Sequence, residues 1–142
     1  MEPRISIITL GVADLERSYR FYKEGLGLPT TRSPDDGIVF FQTGGAVLAI
    51  YPYGELADDV GPGWDSPRSR FSGFTIAHNV RERHEVVDVL DLAASAGAEV
   101  VKAAQDTAWG GYAGYFTDPD GYLWEVAWGA FEFNGDGSLI VP

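Results

Sequence analysis

"YFTDPDGYLWEVAW", Tyr115 to Trp128, reads as the end of one strand, a tight turn and a second strand. Asp118-Pro119-Asp120-Gly121 has turn chemistry, with Pro where its fixed φ suits a type I turn. Strand alternation in "YLWEVAW" puts Leu123, Glu125 and Ala127 on one face and Trp124, Val126 and Trp128 on the other. Glu125 is the conspicuous residue, since glutamate is depleted from strands and rarely buried without a partner.

Upstream, "AEVVKA" and "GYAGYFT" read as strands. Before them "RERHEVVDVLDLAASAGA" reads as a helix, with Val86, Leu90 and Ala93 on one face and Gly97 as its stop. "FSGFTIAHNV" is the strand that opens this half. The first half repeats the order. "RISIITLGV" is a strand, and "ADLERSYRFYKEGLG" is a helix capped by Asp14, with Leu15, Ser18, Tyr22 and Leu26 on one side. "GIVFFQT" and "AVLAIYPY" are strands around Gly44-Gly45. If the first turn is one residue shorter, Phe41 falls on Phe116, Gly45 on Gly121 and Ala49 on Glu125. The self-similarity predicts two tandem β-α-β-β-β modules, an α+β fold with helices on the outer face of a cup-shaped mixed sheet. The expected boundaries are 1–53 for the first module, 54–71 for a linker or lid, 72–130 for the second module and 131–142 for a tail. Residues 52–71 hold three Pro and three Gly and read as irregular, with Trp64, Arg68 and Arg70 available for a lid or a dimer contact.

Composition narrows the function. The 142 residues carry a net charge of −11, which disfavours nucleic acid and anionic membrane surfaces. The chain has no cysteine, so disulfides and thiolate chemistry are excluded. No signal peptide or membrane span is visible, and the expectation is a soluble cytoplasmic protein. "GLGLPT" and "TGGA" lack the strand–loop–helix context of nucleotide sites.

"ITLGVADLERSYRFYKEGLGL" and "FTDPDGYLWEVAW" resemble the opening and closing motifs of a vicinal oxygen chelate module. This is the superfamily of glyoxalase I, bleomycin resistance proteins and extradiol dioxygenases, and the resemblance spans both modules. It implies a divalent ion held by inward His, Glu or Gln residues on the first and last strands of each module. Those positions fall here on Ile7, Ala49, Thr75 and Glu125, and only Glu125 is a competent ligand. A catalytic zinc needs about three protein ligands, so no metal and no other cofactor is expected.

Counting along the strands turns Thr9, Phe40, Ala49 and Tyr51 inward in the first module, and Thr75, Asn79, Ala113, Tyr115 and Glu125 in the second. Apolar and aromatic walls with a few polar groups are the usual make-up of a small-molecule site. Glu125 has three readings: a remnant polar group bonded to neighbouring strand side chains, an anchor for a ligand's cationic or hydroxyl group, or a catalytic acid/base in a desolvated cup. Trp109, before Gly110-Gly111, either gates or stacks on a ligand, or simply packs. His78 falls on the helix-facing side, as a packed or capping residue, and His84 in the solvated first turn of the second helix.

The leading expectation is a homodimeric binding protein for a small aromatic or cationic molecule, without metal. Its ligand-binding residues would be Thr9, Phe40, Tyr51, Thr75, Asn79, Trp109, Tyr115 and Glu125. The alternative is a lyase or dioxygenase-type enzyme that uses Glu125 as metal ligand or general base.

Overall fold

A computed structural model describes residue 1 and residues 5–63 and 71–140. Trp64, Arg68 and Arg70, and with them the lid reading of that stretch, lie outside the described residues. The chain divides into two compact units, Met1–Ser69 and Arg70–Pro142.

In the first unit, strand β1 (Ile7–Val12) leads to a short helix α1 (Leu15–Tyr19). Asp14 caps α1 by accepting from the Arg17 N–H at 2.9 Å, as the sequence predicts. The helix then widens into a π-helical segment, Arg20–Gly25. With more residues per turn, adjacent Phe21 and Tyr22 both reach the core, which strict 3.6 periodicity does not foresee. Their rings meet edge to face at 5.0 Å, and Tyr22 leans on Phe41 at 5.7 Å. Strands β2 (Val39–Phe41) and β3 (Val47–Pro52) complete a sheet of order β1-β3-β2, with β1 parallel and β2 antiparallel to β3. The place of the remaining strand of the repeat is taken by a loop and a 3-10 turn, Pro34–Asp36. Pro29 and Pro34 flank this stretch and lack the N–H groups that a ladder uses.

The irregular reading of 52–71 is corrected over its first part. Tyr53–Val60 form a helix, α2, that packs on β1 and β3. Tyr53, Leu56, Ala57 and Val60 recur at i, i+3, i+4 and i+7, an apolar stripe interrupted by Glu55, Asp58 and Asp59. The density of Pro and Gly around it conceals this period.

In the second unit β4 (Thr75–Asn79) precedes helix α3 (Glu85–Ser95), followed by β5 (Glu99–Asp106), β6 (Tyr112–Thr117) and β7 (Leu123–Trp128). The sheet order is β4-β7-β6-β5, with β4 parallel to β7 and the other neighbours antiparallel. Val86, Leu90 and Ala93 are the buried face of α3, and the chain turns away at Gly97, φ +108°. Gly114 lets α3 approach, because a Cβ there would lie 2.6 Å from Leu90. The expected tail holds a further hairpin, β8 (Glu132–Phe133) with β9 (Leu139–Ile140), closed over Asn134–Gly137. Asn-Gly-Asp-Gly is the sequence signal for it. Among the described residues no helix is long and apolar enough to cross a membrane.

Candidate functional site

Each sheet has one face under its main helix. In the second unit Val126, Phe116 and Trp124 take that side, with Phe116 and Trp124 stacked 6.0 Å apart. His78 pairs with Val126 across the ladder, so it shares this side. It keeps an exposed edge, but packing desolvates the imidazole and holds its pKa below the ordinary value, against the opposing pull of Glu85. His84 stands exposed at the start of α3, 3.9 Å from Asp88.

The opposite, helix-free face collects the expected residues of this unit. One row across the strands is Ala77, Glu125, Tyr115 and Lys102, and the next is Asn79, Ala127, Ala113 and Gln105. Thr75 faces Leu123 one step the other way. The register that places them follows from the turn before β7. The Asp118 carboxylate accepts from the N–H groups of Asp120 (3.0 Å) and Tyr122 (2.8 Å), and the Asp118 N–H donates to the Tyr122 carbonyl. A turn anchored this way fixes which residues face each other, because one step of slip would send Glu125 to the helix side.

Glu125 is half-buried and bonded to its neighbour. The Tyr115 hydroxyl donates to Glu125 Oε1 at 2.7 Å. This hydrogen bond, then desolvation, then the carboxylate's charge push the Tyr115 phenol up to about 12. The hydroxyl therefore stays a donor at neutral pH. Glu125 Oε2 has no hydrogen-bond partner among the described residues.

Trp109 stands four residues of strand beyond Glu125, about 13 Å along β7. Its ring fills the space where Cβ atoms of Gly111 and Gly129 would stand, at 1.9 and 2.7 Å, and it leans on Phe131 at 5.9 Å. Only glycine at both positions lets the indole lie flat on the backbone. One side of the ring is thus packed, while 55% of the residue's surface stays exposed. The buried Ala113 and Ala127 lie between it and the Tyr115–Glu125 pair.

In the first unit Thr9, Ala49 and Phe40 form one row on the helix-free face, with Ile7 opposite Val47 and Tyr51 opposite Gly11 in the flanking rows. Alternation places Ala49 and Phe40 where the second unit has Glu125 and Tyr115. Helix α2 closes the far end of this face, because a Cβ on Gly11 would lie 2.9 Å from the Tyr53 ring. Tyr51 has its pKa raised by desolvation, by the hydrogen-bonding Glu55 carboxylate and by Asp59.

The donor set does not suit the metal that the resemblance implies. Ile7 is an exposed aliphatic, Ala49 a buried methyl group and Thr75 a lone hydroxyl, and Glu125 already serves Tyr115. Among the described residues no three His, Asp or Glu side chains are close enough to share an ion. Lys102 joins this face although nothing in "AEVVKA" marks it as more than an ordinary strand residue.

The model of the glyoxalase/bleomycin resistance protein/dioxygenase superfamily matches residues 4–126. The chain belongs to that superfamily. Among solved structures of the superfamily, a glyoxalase-related enzyme from Fulvimarina pelagi is 36% identical, with 98% of each chain covered and a TM-score of 0.86. A glyoxalase/bleomycin resistance protein/dioxygenase from Nocardioides is 26% identical over 90% of this chain and 84% of its own, at 0.69. A lactoylglutathione lyase from Agrobacterium tumefaciens, 21% identical over 91% and 96%, shares the fold at 0.65. No curated protein matches. Of the four positions onto which the resemblance maps metal ligands, only Glu125 carries a ligand-type side chain.

Proposed function

We propose that this superfamily member binds a small aromatic or cationic molecule on the helix-free face of its second module, without a metal ion. The observation that carries the reading is the 2.7 Å bond from Tyr115 to Glu125. It holds one carboxylate oxygen and leaves the other free to accept from a ligand's ammonium or hydroxyl. Trp109 supplies a flat surface on the same sheet, and Thr75 and Asn79 add polar contacts. In the first module, Thr9, Phe40 and Tyr51 are proposed as ligand-contacting residues of that module's own corresponding face. A net charge of −11 favours cationic ligands further. The protein is proposed to act as a homodimer, since β5 is an exposed edge strand with Val100 and Val101 uncovered. Sedimentation at the dimer mass supports that assembly, and sedimentation at 15.4 kDa contradicts it.

Thermal-shift and calorimetric screening against aromatic amines tests the binding reading. Hits in the wild type that are lost in Glu125→Ala are expected, and no hit across a broad panel would count against it. A second reading is favoured by the 36% identical relative, which is described as a glyoxalase-related enzyme. There Glu125 would be a metal ligand, or an acid/base that takes a proton from an activated C–H or gives one to a carbonyl. Elemental analysis separates the two: stoichiometric divalent metal lost in Glu125→Ala would sink the metal-free reading.

A further inference from the structure

The row that carries Glu125 ends at Lys102, and β5 is deformed to bring it there. Glu99 and Val100 pair with Thr117 and Phe116 in regular register. Continued two steps, that register would set Val101 opposite Tyr115 and then Lys102 opposite Gly114, which lies on the side where α3 packs. Instead the register shifts between Val100 and Lys102, and again before Gln105. The irregularity turns Lys102 onto the helix-free face, opposite Tyr115. Bulges commonly re-aim a side chain beside a functional site.

Lys102 Nζ lies over the Tyr115 ring, 5.5 Å from its centroid, so the side chain leans across the face toward Glu125. The other two cations described in this unit are committed elsewhere. Arg83 pairs with Asp106 at 2.7 Å and covers Tyr112, and Arg81 lies over Phe133 at 4.5 Å. Among the described residues no carboxylate is within ion-pair distance of Lys102. A tyrosine therefore stands between an ammonium and a carboxylate with one free oxygen. Their strands are two spacings apart, about 9.5 Å between backbones.

We infer that this row is a zwitterion site: Glu125 meets a ligand's ammonium, Lys102 its carboxylate, and the Tyr115 ring packs on the carbon skeleton that carries both. The inference rests on the proposal that this face binds a small molecule. A ligand with both charges pairs both side chains as water leaves the face. A ligand with only one leaves the other side chain desolvated and unpaired, and that penalty is a source of specificity.

Tryptophan, tryptamine and indole-3-propionate share one ring and differ in charge, so they separate the contributions. Calorimetric titration of each into wild type, Lys102→Gln and Glu125→Gln is the test. Tryptophan is expected to bind at least tenfold tighter than either singly charged compound. Lys102→Gln is expected to remove that margin while leaving tryptamine binding unchanged or tighter. If tryptophan binds no tighter than tryptamine, while Glu125→Gln still abolishes tryptamine binding, the zwitterion inference falls and the binding face stands. If none of the three binds, both fall.

Discussion

The two modules place different chemistry at one position of the same scaffold. In the first, Thr9, Ala49 and Phe40 cross the helix-free face. In the second, Ala77, Glu125 and Tyr115 do, with Lys102 beyond them on a strand that the first module lacks. On the helix side the modules agree: Phe41 and Phe116 are both fully buried. The large buried strand side chains lie on one face in both copies, and the other face is where they diverge. The first copy closes part of it with α2 over Gly11, and the second keeps a bonded carboxylate and a flat tryptophan there.

The largest expected effects fall where the modules agree. Phe41→Ala and Phe116→Ala should each destabilise by about 3–5 kcal/mol in urea unfolding. A much smaller loss at either would break the equivalence. Next come the turns. Asp118→Ala removes a nearly buried carboxylate that accepts from two N–H groups, and should cost about 1.5–3 kcal/mol. In the matching turn Thr43 makes a single hydroxyl bond to the Ala46 carbonyl, so Thr43→Ala should cost only about 1 kcal/mol.

Gly11→Ala sharpens the contrast further. Its methyl would meet the Tyr53 ring at 2.9 Å and press α2 outward, an overpacking penalty of about 1 kcal/mol. Proteolysis within Tyr53–Val60 should accelerate, while ligand binding at the second module stays unchanged.

The smallest effect is a titration. Tyr115 is raised to about 12 from an ordinary 10, so its folded pKa lies above its unfolded one. The stability this provides is full below pH 10 and is lost as pH rises toward 12. Ultraviolet difference spectra should show a late-titrating tyrosine that moves toward 10 in Glu125→Gln. An unmoved titration would mean that the 2.7 Å bond is not what holds the phenol.

Much of this was legible in the sequence. Alternation anchored on Asp118–Gly121 assigns Glu125, Tyr115, Ala113, Thr75 and Asn79 to one face, and the capping Asp14 and the Val86–Leu90–Ala93 stripe locate the helices. What escaped has physical causes. The π-helical segment changes the period and buries Phe21 beside Tyr22. Helix α2 hides a four-residue apolar stripe among acids. The irregularity in β5 leaves no mark in "AEVVKAAQD", so Lys102 could not be assigned to its face by counting. Neither the Tyr115 bond nor the Trp109 seat on two glycines follows from composition.

The most direct test is a titration of tryptamine, in buffer with a chelator, into wild-type protein and Glu125→Gln. The expected result is saturable binding to the wild type without metal, weakened tenfold or more in the variant, with little change in the unfolding midpoint. Binding that requires added metal, or that is equal in the two proteins, would contradict a metal-free site built on Glu125 and Tyr115.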